Sequence, residues 1–318
     1  MPARNYPADP AEAALRLFLR WFGAYYARSS SLSSFASDEG VATAVTRIGR
    51  RWDCAISVLN TLAPDATLAF EAGRAAIEKR LDSAGHSIAL WLPRGAPLPA
   101  DEDGLAWLAR ALAAAETLED GRLELRRPVD IFLRRTSTTG SVVTILGGLS
   151  AHWARFTGRV PGSFQLNSSR LLRLPASVAD RDELAERIVL AAGQPGIDES
   201  ETIPAVDAWT AAGLGEGGSC VFGTPAPDDD AQAASLRRNL RLLIRRAVPA
   251  LPEAVPTRAL VVVGAATYAE EEKLSWALRG MDPSLYAGFD LICVIADGLV
   301  KPLLQPARQT LPWDAPPG

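Results

Sequence analysis

Apolar positions along the first part of the chain recur at helical spacing. Leu15, Phe18, Leu19, Phe22 and Tyr26 share one face. Asp9-Pro10 with Glu12 supplies a start signal: a capping carboxylate, a proline suited to the first turn and an acid near the positive helix end. A serine-rich stretch over residues 29–37 reads as a loop. Val41, Val45, Ile48, Trp52, Ile56 and Leu59 again fall on one helical face, so the spacing predicts a second helix over 41–59, with Pro64 as its stop. A third helix is expected over 65–81.

The period then changes. Residues 86–92 form a short apolar run ended by Pro93-Arg94-Gly95, as a strand would be, and a helix is expected over 103–117. Leu123 and Leu125, then Val129, Ile131 and Leu133, alternate with charged neighbours. A further apolar run at 142–146 follows a turn at Thr139-Gly140, residues 147–162 fit no single period, and 164–166 reads as one more strand. A helix over 177–192 closes this block. Residues 193–230 are rich in Gly, Pro and acids and read as an irregular connection, with one short helix near Trp209 and a short strand near Val221. Beyond it, Asp229 or Asp230 caps a helix to about 248, followed by a buried strand over 260–264, a helix over 270–279 and a buried strand over 291–296. Asp297-Gly298 then suits a tight hairpin turn into 299–304. The expected fold class is therefore α/β or α+β. It comprises a helical region 1–84, a strand-rich α+β block 85–195, an acidic Gly/Pro-rich connection 196–230, an α/β segment 231–305 and a loose tail 306–318.

Composition narrows the class without naming a function. With 318 residues, 48% of them hydrophobic and 22% charged, the chain can bury a large core unaided by disulfides or metals. Its three cysteines, Cys54, Cys220 and Cys293, are odd in number and widely spaced, which argues against a disulfide framework and a cysteine-ligated zinc. The apolar stretch 15–26 is interrupted by Arg16 and Arg20, so neither a signal peptide nor a membrane span is expected, and the protein reads as cytoplasmic. Lysine occurs only at 79, 273 and 301, a bias that lowers the weight of any single arginine.

Motifs with chemistry fail on context. Gly213-Leu214-Gly215-Glu216-Gly217-Gly218 matches GxGxxG, but a dinucleotide site needs those glycines between a strand and a helix. Here a helical stretch is expected before them and a strand after. Gly148-Leu149-Ser150-Ala151-His152 approaches a nucleophile elbow, with His152 where the closing glycine belongs. The chain has two histidines, His86 and His152, too few for a convincing triad or zinc site. Carboxylates gather in the C-terminal segment: Asp290, Asp297 and Glu271, with Lys273 beside the last. Metal-dependent nucleases use such groups to hold Mg²⁺ and activate water, although each acid here also has a local explanation in a turn or a helix start. Asn167-Ser168-Ser169 is a glycosylation triplet only in a secreted chain. No cofactor is expected.

Charge is unevenly laid out. Residues 122–173 hold nine arginines against Glu124 and Asp130, a balance of +7. Residues 174–230 hold two arginines and twelve acids, or −10, and residues 231–258 return to +5. Two ordinary readings compete with a functional one: arginine replaces lysine generally here, and the acidic segment lies over the basic block and neutralises it within the fold. The functional expectation is a non-catalytic binding or assembly subunit whose basic central face engages nucleic acid or an acidic protein partner. The residues expected to make contact are Arg126, Arg127, Arg134, Arg135, Arg155, Arg159 and Arg170, with Arg238, Arg241 and Arg245 on the later helix. The alternative is a metal-dependent nuclease or hydrolase built on Asp290, Asp297, Glu271 and Lys273.

Overall fold

The computed structural model describes residues 5–38, 40–50, 52–61, 67–194, 200–225, 232–252, 255–263 and 281–305, with backbone alone over 232–239. Its elements begin with α1 (Pro10–Tyr26), β1 (Ser30–Asp38), β2 (Val41–Ile48), β3 (Trp52–Asn60), α2 (Leu68–Ser83), β4 (Ile88–Trp91) and α3 (Glu102–Ala113). There follow β5 (Glu116–Thr117), β6 (Leu123–Ser137), β7 (Ser141–Gly147), a 3₁₀ turn (Ser150–Arg155), β8 (Gly162–Ser168), α4 (Val178–Gly193) and β9 (Glu201–Gly213). The chain ends through β10 (Cys220–Phe222), α5 (Gln232–Ala250), β11 (Thr257–Val263), a 3₁₀ turn (Pro283–Leu285), β12 (Leu291–Ala296) and β13 (Leu299–Leu304). The fold is α+β, an N-terminal helix leading into a strand-rich body with mixed sheets. It divides into two units: Met1–Leu105 with Ala211–Gly318, and Ala106–Thr210. Among the described residues no helix is long and apolar enough to cross a membrane.

In the first unit a six-stranded sheet runs β1-β2-β3-β11-β12-β13. β1, β2 and β3 form an antiparallel meander, β3, β11 and β12 are parallel, and β13 returns antiparallel. The return is a two-residue turn with both residues at positive φ, Asp297 at 53° and Gly298 at 78°, the conformation that Asp-Gly favours in a hairpin. α1 starts where expected: the Asp9 side chain accepts a hydrogen bond from the Ala11 N–H, and Pro10 opens the first turn. Its Leu15, Phe18 and Phe22 pack on one face of the sheet, against Ala44, Ile56, Val261 and Cys293. On the other face Leu240, Leu243, Ile244 and Ala247 of α5 cover Ala55, Leu59, Leu260 and Val294. The middle strands are thus buried on both faces, so β11 and β12 read as continuous apolar runs.

The helix expected over 41–59 is instead the β2–β3 hairpin, turning at Gly49 with φ 60°. Burial on both faces of β3 removes the two-residue alternation, and the remaining apolar residues happen to coincide with helical spacing. The β-branched content of the stretch (Val41, Thr43, Val45, Thr46, Ile48, Ile56, Val58) is the signal that favours a strand. The serine-rich loop expected at 29–37 is strand β1, polar because it is an exposed edge. α2 begins at Leu68, with the Thr67 side chain accepting from the Phe70 N–H at 3.2 Å. The helix expected over 270–279 and the tail after 305 lie outside the described residues.

In the second unit the strands order as β9-β6-β8-β7, with β5 paired to the start of β6. β8 runs antiparallel to β6 and parallel to β7. The two alternating stretches at 123–133 are one strand, and the helix expected to reach 117 stops at Ala113. The short helix expected near Trp209 is the interior of β9, a strand of 13 residues in which Trp209 is wholly buried. Its alanine-rich centre hides it, because alanine is depleted in strands generally and carries no strand signal. α4, capped by Ser177, lays Leu184, Ala185, Ile188 and Ala192 on Ile131, Leu133, Phe164, Leu166 and Ile203. This helix covers one face of the sheet and leaves the strands' alternate side chains on the other.

Candidate binding face

Alternation along β6 sorts its side chains. Ile131 and Leu133 point into the core under α4, so Asp130, Phe132, Arg134 and Thr136 stand on the opposite, open face. Register carries that face across the sheet. Arg134 lies beside Gln165 of β8, which lies beside Thr144 of β7; Phe132 lies beside Asn167, which lies beside Leu146. Val142 and Leu146 are about half exposed, at 50% and 47%, and Arg134, Thr144 and Asn167 are exposed. The result is a surface of one arginine, one acid (Asp130), hydroxyls, amides and apolar side chains, with no helix over it among the described residues. The Arg170 guanidinium sits 5.8 Å from the Phe132 ring centroid, placing a second cation at its margin.

The other arginines expected to make contact turn inward or to acids. Arg126 pairs with Asp180 at 2.5 Å and Glu116 at 3.0 Å, and lies 3.5 Å from the buried Glu124. Arg155 pairs with Asp182 at 2.5 Å and Arg159 with Glu186 at 2.8 Å. The match is geometric: two arginines four residues apart meet two α4 acids four residues apart on one helix face. Arg135 donates to the carbonyls of Ala192 and Gln194 and lies 5.2 Å from the Phe164 ring centroid. Arg127 lies 5.2 Å from Trp209 and 5.8 Å from Trp107, two indoles that meet edge-on. The acidic segment therefore does lie on the basic block, through α4. Of the expected contact residues in the second unit, Arg134 is exposed and pairs with no acid or aromatic ring among the described residues; Arg245 of α5 shares that property in the first unit.

The α5 arginines belong to the first unit. Arg241 and Arg245 are exposed there, while the side chain of Arg238 lies outside the described residues. Asp290 and Asp297 stand at opposite ends of β12, roughly 20 Å apart at strand rise, too far to share one metal ion. Asp290 accepts from the Arg258 N–H and donates its own N–H to the Arg258 carbonyl, a role in holding β12 to β11. Glu271 and Lys273 lie outside the described residues. No group of His, Cys, Asp and Glu among the described residues is arranged to hold a metal ion.

The glycine loop after β9 follows a strand rather than the expected helical stretch and leads into β10, so no helix N-terminus stands behind it. It is pinned from α1: Arg16 donates to the Glu216 carbonyl at 2.9 Å and Arg20 to the Gly213 carbonyl. A side chain at Gly217 would run into the Arg16 guanidinium, which explains that glycine structurally. Ser150 and His152 occupy a 3₁₀ turn and do not hydrogen-bond to each other. His152 lines a small hollow with Leu149, Phe156, Leu184 and Arg181; burial, then the charges of Arg155 and Arg181, hold its pKa below the usual imidazole value. It is thus biased neutral, and no carboxylate among the described residues orients it, unlike a triad base. No known protein family, curated protein or solved structure matches this chain.

Charge counting overlooked two buried carboxylates. Asp207 accepts from the backbone N–H of Leu172 and Arg173 and from Trp209 Nε1, at 2.7–2.9 Å. Glu78 accepts from the N–H of Ala8 and Val221 and from Arg74. Both tie loop or terminal backbone to the sheets. The open-face residues Phe132, Thr144, Gln165 and Asn167 were also overlooked, although the strand alternation of β6 and β8 carries that information.

Proposed function

We propose that this chain is a non-catalytic binding or assembly subunit that holds an acidic protein segment against the open sheet face of its second unit. The observation that carries this reading is Arg134: exposed, at one end of a row of polar side chains, and without an acid partner while Arg126, Arg155 and Arg159 all have one. A single guanidinium among amides and hydroxyls suits a carboxylate side chain, which it can take with two parallel hydrogen bonds. A nucleic-acid surface would need several unpaired cations along a groove, together with stacking rings. The internal pairs with α4 leave fewer of them than the sequence suggests.

The test is fluorescence anisotropy with a labelled glutamate-rich decapeptide and, in a second arm, a labelled single-stranded DNA. Arg134→Glu lowers peptide affinity by about tenfold or more, as expected for loss of a charge-assisted pair and its replacement by repulsion. Arg134→Lys retains part of the affinity. Equal peptide binding by the wild type and Arg134→Glu overturns the reading. So does DNA binding that is tighter than peptide binding and unchanged by Arg134→Glu.

A further inference from the structure

Sheet edges expose unpaired backbone donors and acceptors, and proteins blunt them with charge, proline, bulges or brevity. Both edges of the first unit's sheet are blunted. β1 is serine-rich and carries a register shift between Leu32 and Ser34. β13 carries Lys301 and Pro302 beside a register shift in its partner. β7, the end strand of the other sheet, has no charge, proline or bulge. It has seven residues, Ser-Val-Val-Thr-Ile-Leu-Gly, with no register shift against β8. The Gly158 N–H reaches its first carbonyl, at Ser141, and among the described residues no other backbone group pairs with the outer edge beyond that point. Half-exposed Val142 and Leu146 project from it, with Trp153 exposed at 57% on the 3₁₀ turn packed beside the strand.

We propose that β7 pairs antiparallel with β7 of a second copy of this chain, about a two-fold axis through Thr144. The inference deepens the assembly reading above and rests on it for its purpose. The argument for a second copy is self-complementarity. With Thr144 opposite Thr144, Val142 faces Leu146, Val143 faces Ile145 and Ser141 faces Gly147, so each pair is apolar with apolar or small polar with small polar. No like charges meet across the axis. One residue of slip would set the exposed Val142 and Leu146 against the buried face of the neighbour. The pairing also has a consequence for the open face. Arg134, Gln165 and Thr144 lie in one row, so the dimer continues that row through Thr144, Gln165 and Arg134 of the second copy. Five strand spacings then separate the two Arg134 positions by roughly 24 Å, a bivalent platform for an extended acidic segment.

An edge this short buries less than about 1,200 Å² in all, so the dimer is expected to dissociate in the micromolar range. Sedimentation equilibrium of the wild type moves from 33.9 kDa towards twice that mass with concentration. Thr144→Lys, at an exposed position that leaves the circular dichroism spectrum unchanged, stays at 33.9 kDa throughout. Register is read by oxidation. Thr144→Cys places two thiols directly opposite, about 4.5–5.5 Å apart between Cα atoms, and cross-links. Val142→Cys alone or Leu146→Cys alone leaves its thiols roughly 13 Å apart and does not. The native cysteines are all buried, so they add no background. A wild type that remains a monomer to about 100 µM overturns the pairing, since interfaces of this size should populate by then. A dimer that Thr144→Lys does not weaken, or cross-linking at Val142→Cys in place of Thr144→Cys, overturns it equally. A monomer that still binds the glutamate peptide through Arg134 refutes the pairing alone; a cross-linked dimer that ignores the peptide refutes the binding reading alone.

Discussion

Asp207 shows how one side chain organises the second unit. Its carboxylate is almost wholly out of water, and one of its oxygens takes both the Leu172 and Arg173 N–H groups while the other takes Trp209 Nε1. The loop after β8 is thereby fixed to β9. Asp207→Ala would leave three donors unpaired, the Trp209 Nε1 among them buried, and a loss of about 2–4 kcal/mol in urea unfolding is expected. The residue also sets a pH dependence. Burial raises its pKa above the ordinary aspartate value, ahead of the hydrogen bonds and the nearby Arg127 that lower it. The folded state therefore binds the proton more readily than the unfolded chain does. The corresponding stability is present below the unfolded value and is lost as pH rises through the folded one. Urea midpoints of the wild type and Asp207→Asn, measured from pH 3.5 to 7, should differ in slope accordingly: the wild type declines with pH relative to the variant over that window. A flat difference would mean that the hydrogen bonds and Arg127 balance burial, and a rise with pH that they outweigh it.

At the scale of elements, α4 works as both lid and counter-charge. Its apolar stripe buries the sheet, while Asp180, Asp182 and Glu186 on its flank take Arg126, Arg155 and Arg159. These pairs are largely exposed, so each stabilises by less than about 1 kcal/mol, and their main effect is to cancel charge. Asp182→Asn with Glu186→Gln should therefore change the melting temperature little while releasing two arginines. Retention on heparin, weak for the wild type, should rise, with a steeper dependence on salt. Unchanged retention would mean that those arginines find other partners. The same helix shows what sequence reading reaches. The helix itself, over 177–192, and the arginine-rich block are both legible along the chain. The partners are not, because Asp180 lies 54 residues from Arg126, and Asp182 and Glu186 lie 27 from theirs. Strands suffered in a related way. β6 and β8 alternate because one face is open, and so they could be read. β3 and the centre of β9 are buried without alternation, and their period therefore fits a helix or loop as well as a strand. The open face was thus encoded in period, whereas the reading followed charge.

Across the whole molecule the three thiols report on one unit. Cys54 and Cys293 lie in the core under α1, and Cys220 lies on β10, all within Met1–Leu105 and Ala211–Gly318. All three are buried, and burial pushes the thiols of Cys54 and Cys293 up to about 12, so at neutral pH almost no thiolate forms there. Since the thiolate is the reactive species, both access and ionisation protect them. A thiol reagent such as Ellman's should therefore label the native protein at close to zero equivalents and reach three once guanidinium unfolds the chain. Between those limits the labelling rate measures the opening of the first unit, because every reactive sulfur must leave its core to react. The indoles of Trp107 and Trp209, stacked with Arg127, sit instead at the junction of α3, β6 and β9 and respond to that region. Substituting phenylalanine for the other six tryptophans together would isolate their emission. If thiol labelling and this emission then change at one denaturant concentration, the two units unfold as a single cooperative structure; separate midpoints would show that each is stabilised by its own core. Rapid labelling of any cysteine in the native state would contradict the packing of α1 on the sheet. It would also remove the silent background on which the Thr144→Cys cross-link depends.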